Sequence, residues 1–142
     1  MPRKRLRDIG VSIGRFATGP LNAITDVGGV RVGHTTIISG EGALEKGKGP
    51  VRTGVSCVMP HLDVYRERLI GGMFVLNGAG EVAGLTQVAE WGLIETPILL
   101  TNTLSVGKVS DAAVKWMSKK HPGIGSDEDV SFPWSVSATT RS

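Results

Sequence analysis

A layered α/β domain is the fold class this sequence predicts, and three observations predict it. Residues 71–107 read as strand, glycine loop, helix and second strand. Val30 to Ile38 is a β-branched, roughly alternating run, the pattern of a half-buried strand. After Gly107 comes a helical stripe of Val109, Ala112-Ala113 and Trp116-Met117. Strands interleaved with helices of this length build sheets with helices on their faces.

Taken in order, residues 1–20 are basic and then glycine-rich, a segment expected to wrap the surface. Asp26-Val27-Gly28-Gly29 marks a turn into the first strand. Ser39 to Gly54 is a polar, glycine-rich connection to a second strand, Val55 to Met59, stopped by Pro60. Two strands joined this way predict an antiparallel pair. Pro60 to Arg68 is charged and reads as a surface excursion. Met73 to Leu76 is a short apolar run before Asn77-Gly78-Ala79-Gly80 and reads as a buried strand. Val82, Leu85 and Val88-Ala89 then share a helical face, with Gly92 placed for a left-handed C-terminal cap. Pro97 opens the strand Ile98 to Leu100, which ends in Thr101-Asn102-Thr103. The last helix has Ser110 and Asp111 near its start, Lys119-Lys120 at its dipole-negative end, and stops at His121-Pro122-Gly123. Val130-Ser131-Phe132 begins a further expected strand.

Composition narrows the function classes. At 142 residues the chain is one domain's worth, with 40% hydrophobic residues. No apolar run approaches the ~20 residues that span a bilayer, and no apolar stretch follows the basic start, so the expectation is a cytoplasmic protein with no membrane role. The net charge of +3 is concentrated at Arg3, Lys4, Arg5 and Arg7, and aromatics are 5%, which argues against a nucleic-acid surface. Cys57 is the single cysteine, set in an apolar run with nothing nearby to lower its pKa, so a buried inert thiol is expected. Twenty glycines, about twice the usual ~7% frequency, imply many tight turns and close layer contacts.

Short chemical motifs are incomplete. Gly78-Ala79-Gly80-Glu81-Val82-Ala83 fits the dinucleotide fingerprint G-x-G-x-x-G/A. The acid expected at the end of the next strand is missing, and Glu81 would meet the phosphates. His34, His61 and His121 fall at no metal-ligand spacing, so no metal is expected. Ser56 lacks the nucleophile-elbow glycines. Thr101-Asn102-Thr103 is the best pocket candidate, because polar loops after a strand are where open α/β sheets place ligands. The same side chains suit helix capping and turn formation equally well.

Longer stretches carry a resemblance. Gly19-Pro20-Leu21-Asn22-Ala23-Ile24-Thr25-Asp26-Val27, Val30-Arg31-Val32-Gly33-His34-Thr35-Thr36, Val51-Arg52-Thr53-Gly54-Val55 and Pro60-His61 occur in order. Asn77-Gly78-Ala79-Gly80-Glu81, Gly84-Leu85-Thr86-Gln87-Val88, Glu95-Thr96-Pro97-Ile98 and Leu100-Thr101-Asn102-Thr103-Leu104-Ser105-Val106-Gly107 follow. Together, over about residues 9 to 130, they resemble the DmpA-type peptidases, the L-aminopeptidase/D-amidase/D-esterase and β-peptidyl aminopeptidase family. The resemblance implies an αββα sandwich similar to N-terminal-nucleophile hydrolases but differently connected. It implies a precursor that cleaves itself before a serine, and a freed serine that attacks the carbonyl of an N-terminal residue. Small peptides or amino-acid amides are then the substrates, with no cofactor, in a homo-oligomer. An α-amine beside the hydroxyl can act as its base, and amide donors can hold the oxyanion.

The resemblance also implies what this chain is expected to lack. The family's nucleophilic serine and the groups around it lie beyond the chain's length, so residues 1–133 are expected to be the N-terminal part of an α chain and no catalytic residue is assigned. The sandwich is expected to be incomplete, and the fragment inactive. Two alternatives remain, a stand-alone small-molecule binding module and a relative of the self-cleaving amino-acid acetyltransferases. An acidic segment of the form V-G-E-[CT]-[ND]-D is expected after Phe132-Pro133. Residues 134–142, Trp-Ser-Val-Ser-Ala-Thr-Thr-Arg-Ser, do not match it. Codons TGG, TCN, GTN, AGY, GCN, ACN, ACN and CGN for the first eight, read one base earlier, allow Leu-Val-Gly-Glu-Cys-Asp-Asp-Ser. The expectation is a frameshifted tail from Trp134, not native to the fold and poorly packed.

Overall fold

The structure, a computed structural model, describes residues 4–128 and the backbone of Trp134–Ser137. β1 (Arg31–Ser39) and β2 (Val51–Met59) pair antiparallel, with Arg31 opposite Met59 and Ser39 opposite Val51. β2 starts at Val51 rather than the expected Val55, because the ladder with β1 carries polar residues as readily as apolar ones. Arg52 fastens that end by donating to the carbonyls of Ser39, Gly40 and Val51 at 3.1, 2.8 and 2.7 Å.

β3 (Leu69–Ile70) and β5 (Leu93–Ile94) form a separate two-stranded sheet, with β4 (Val82–Ala83) and α1 (Leu85–Trp91) between them in the chain. β6 (Ile98–Thr101), α2 (Val106–Lys120) and β7 (Trp134–Ser137) follow. The main sheet has the order β1-β2-β6-β7-β4, with β7 parallel to β6 and its other neighbours antiparallel. Parallel neighbours need a crossover, and α2 is that crossover. It therefore packs over β6, β7 and β4.

The core sits under α2. Val106, Ala113 and Met117 form its buried stripe, with Val88 of α1 and the adjoining Val64 and Tyr65 also buried. Val64 and Tyr65 correct the expectation that 60–68 lies on the surface: two apolar residues among the charges turn inward. Asp63 Oδ1 of this segment lies 3.4 Å from Nε2 of the buried His121 at the end of α2, close but not hydrogen-bonded to it. The Tyr65 ring is 4.8 Å from the His121 ring, and Arg66 bridges Asp63 and Glu128 at 3.8 and 3.3 Å. Lys120 adds a hydrogen bond to the Leu62 carbonyl.

Three further expectations need correction. Met73 to Leu76 forms no strand, and Phe74 and Leu76 are 86% and 85% exposed. An apolar run supplies strand propensity but not a partner, and the β3 ladder ends at Ile70. Val82 belongs to β4 and not to the helix, because Gly84 at φ 80° breaks the chain before α1. Gly92 caps α1 in the left-handed region, as expected. α2 begins at Val106, directly after a 3-10 turn at Thr103–Ser105, earlier than Ser110 implied. It ends at Lys120 before His121. The expected strand at 130–132 lies outside the described residues. The backbone of Trp134–Ser137 pairs with both β6 and β4. Ladder bonds use only backbone groups, so they form whatever side chains occupy the strand.

Candidate substrate groove

α2 packs on one face of the sheet, over β6, β7 and β4. On the other face the β1–β2 register sets His34 opposite Ser56, Thr36 opposite Gly54 and Ile38 opposite Arg52. β6 places Leu100 beside Ser56. The result is an open groove of about 490 Å³, lined by Thr36, Arg52, Gly54, Ser56, Thr101 and Asn102 among others.

Two of the three pocket residues expected from the sequence meet here. Thr101 is buried and its hydroxyl donates to the Gly54 carbonyl at 3.1 Å. Asn102 Nδ2 donates to Thr53 Oγ1 at 2.9 Å, linking the end of β6 to β2. Asn102 precedes the 3-10 turn but its side chain caps nothing, so the capping alternative does not apply to it. Thr103 opens the turn, half-buried, and does not line the groove. Glycine is needed at position 54, since a Cβ there would lie 2.5 Å from the Thr35 carbonyl oxygen.

The sequence did not reveal one contact, His34 Nδ1 to Ser56 Oγ at 2.7 Å. The two residues are 22 positions apart, and only the strand register brings them together. A hydroxyl hydrogen-bonded to imidazole has the form of a nucleophile and its base. Here the form is not filled out. Ser56 sits mid-strand with neighbours on both sides, so its backbone amides serve the ladders and not an oxyanion. Among the described residues no carboxylate orients His34. The contact is a cross-strand polar pair.

The other candidates fall away from this groove. Gly78-Ala79-Gly80 follows no strand, and the Ala79 amide is taken by Asn77 Oδ1 at 3.0 Å, so no cradle faces a pyrophosphate. Among the described residues no cluster of three or more His, Cys, Asp or Glu is placed to hold a metal. Cys57 is half-buried rather than buried, on the α2 side of the sheet, and burial raises its thiol pKa. Glu95 is buried, 3.0 Å from Arg68 Nε and 2.5 Å from Gln87 Nε2, and fixes β5 against α1.

The chain is a mixed α/β unit, with helix on one face of its main sheet and a polar groove on the other. It superimposes on the L-aminopeptidase D-Ala-esterase/amidase of Ochrobactrum anthropi with a TM-score of 0.72 at 34% identity, covering 96% of this chain and 37% of that one. That enzyme is described as a prototype serine aminopeptidase and a variant among the Ntn hydrolase fold. The chain belongs to peptidase family S58, whose model matches residues 22–139.

It is 49% identical over 122 residues to the beta-peptidyl aminopeptidase BapA of Sphingosinicella microcystinivorans, 84% of this chain and 30% of the relative. The PH0078 protein of Pyrococcus horikoshii OT3 matches with a TM-score of 0.89 and 43% identity, over 95% of this chain and 38% of that one. The chain thus spans about a third of the length of the relatives it matches. Among the described residues no helix is long and apolar enough to cross a membrane.

Proposed function

We propose that this chain is the N-terminal part of a self-processing serine aminopeptidase that removes N-terminal residues from peptides, amides or esters. The observation that carries the reading is 49% identity to a beta-peptidyl aminopeptidase spread over only 30% of its length. The groove supports it in kind. Its hydroxyls and amide suit a peptide or amide group, and the Ser56–His34 pair lacks the amide donors that acyl transfer requires. The nucleophile in this reading is a serine outside this chain, exposed by self-cleavage, with its own α-amine as base. Residues 1–133 supply all but the β7 strand of one sheet of the sandwich, and one wall of the substrate cleft. The whole enzyme is a homo-oligomer acting without a cofactor, and the fragment alone is inactive.

The test is hydrolysis of amino-acid p-nitroanilides and β-amino-acid amides. The 142-residue protein is expected to show none. A chimera joining residues 1–133 to the remaining sequence of the Sphingosinicella relative is expected to split into two chains and turn the substrates over. Hydrolysis by the short protein that disappears in Ser56→Ala would overturn the proposal.

A further inference from the structure

The loop of residues 71–80 forms neither helix nor strand, and neither the groove nor the core uses its Asn77-Gly78 pair. Both residues are exposed. We propose that Asn77 is a deamidation site, at which the folded loop promotes conversion of the side-chain amide to a carboxylate with water and hydroxide as the only co-reactants.

The step is an attack by the next backbone nitrogen on the asparagine side chain. The Gly78 nitrogen gives its proton to hydroxide and bonds to Asn77 Cγ. The electron pair of the Cγ–Oδ1 double bond moves onto Oδ1, and its return expels Nδ2, which leaves as ammonia with a proton taken from water. The cyclic imide that remains adds water at either carbonyl and opens to aspartate or to isoaspartate. One water is consumed, one ammonia is released and nothing is oxidised. The product carries a negative charge where the chain had a neutral amide, in the segment that leads to Glu81.

Three observations single out this residue. First, a Cβ built at Gly78 would meet nothing within 4 Å, and glycine sets no side chain against the attack, so the peptide has room to turn toward Cγ. Second, among the described residues nothing accepts a hydrogen bond from the Gly78 amide, so the nucleophile is not held elsewhere. Third, Oδ1, where charge gathers in the tetrahedral intermediate, already accepts from the Ala79 amide at 3.0 Å. A donor aimed at a developing oxyanion lowers the barrier to forming it. The other two asparagines lack this arrangement. The Ala23 amide, which would attack Asn22, donates to Asp26 Oδ2 at 3.1 Å. Asn102 is followed by the β-branched Thr103, and its Nδ2, the leaving group, is held by Thr53 Oγ1 at 2.9 Å.

The experiment ages the 142-residue protein at mildly alkaline pH beside a synthetic peptide of residues 73–82, each also as Gly78→Ala and Ala79→Pro, with circular dichroism confirming that the protein variants stay folded. Peptide mapping by mass spectrometry is expected to find the amide-to-acid conversion at Asn77 before Asn22 or Asn102, with isoaspartate among the products. The folded chain is expected to convert at least as fast as the peptide, although folding ordinarily restrains the backbone. Gly78→Ala is expected to slow both by roughly tenfold. Ala79→Pro removes the donor to Oδ1 from an exposed position, and is expected to slow the folded chain by about fivefold, the worth of one hydrogen bond, while hardly changing the peptide. A folded chain that converts more slowly than the peptide would overturn the proposal. So would an Ala79→Pro chain as fast as its parent, or conversion that begins at Asn22 or Asn102.

Discussion

Removing the amide of Asn102 tests the groove at the point where structure and function are easiest to separate. Asn102→Ala deletes one neutral hydrogen bond, the 2.9 Å contact to Thr53 Oγ1. Both residues are half-buried, so water replaces part of what is lost. The net cost is about 1 kcal/mol, the usual worth of one such bond. In a chain of this length that lowers Tm by about 4 °C. Thr53→Ala removes the same bond from the other side. The double variant is therefore expected to cost less than the sum of the two, with a coupling of about 1 kcal/mol. Urea unfolding of the four proteins measures this, with unchanged m values as the check that the fold is retained. In the processing-competent chimera the same Asn102→Ala is expected to lower self-cleavage or turnover well beyond what the small stability loss explains. Zero coupling would refute the cross-strand link. Wild-type processing and turnover would refute the groove's part in the chemistry and leave Asn102 a structural tie between β6 and β2.

Three other perturbations have expected outcomes. Met117→Ala opens a cavity beneath α2 at a site 3% exposed, and should cost about 2–5 kcal/mol, read as a lower urea midpoint or an unfolded circular-dichroism spectrum. Glu95→Ala leaves Arg68 Nε and Gln87 Nε2 without their carboxylate. Because Arg68 is 37% exposed and can reach water, the cost should be about 1–3 kcal/mol, below that of a fully buried pair. For Cys57 the sign follows from burial disfavouring the thiolate. Its folded pKa is raised, so its alkylation rate should climb at higher pH in the native chain than in the urea-unfolded one, and stability should fall as pH rises past the unfolded thiol's value. Coincident profiles would contradict the half-buried placement.

Much of the fold was legible because it depends on local pattern. The β-branched runs gave β1 and β2, Gly92 gave the end of α1, and the helical period gave α2. What stayed hidden depends on partners. Met73 to Leu76 has the composition of a buried strand, yet nothing among the described residues pairs with it. Val64 and Tyr65 turn inward only because α2 ends above them, at a distance in sequence that no local window spans. The site divides in the same way. Thr101 and Asn102 were visible as a polar loop after a strand, whereas Thr53, Gly54 and the Ser56–His34 pair needed the β1–β2–β6 register.

That register also gives the frameshift expected from Trp134 a test in protein. β7 runs parallel to β6, with position 134 in register with Ile98, 136 with Leu100 and 137 with Thr101. Read one base earlier, the codons of 134–137 allow leucine, valine, glycine and glutamate. The apolar pair would then fall beside Ile98 and Leu99, both half-buried. The glutamate would fall beside Thr101, next to Asn102, at the edge where a strand meets the groove. In the proposed aminopeptidase a carboxylate there would hold a substrate's free α-amine, and the described groove supplies none of its own. The frame as translated sets Ser137 at that position instead. The backbone ladder forms with either sequence, so pairing at β7 does not choose between them, and the gene does. The expected result is a DNA sequence whose shifted frame encodes V-G-E at 135–137 and runs on to a processing serine. The test in protein is the repaired chain, which should bind and turn over substrates with a free amine and lose that ability when the restored glutamate is changed to glutamine. A shifted frame that meets a stop codon or lacks the V-G-E triplet would end the argument. A repaired enzyme that treats amine-blocked and free substrates alike would do the same.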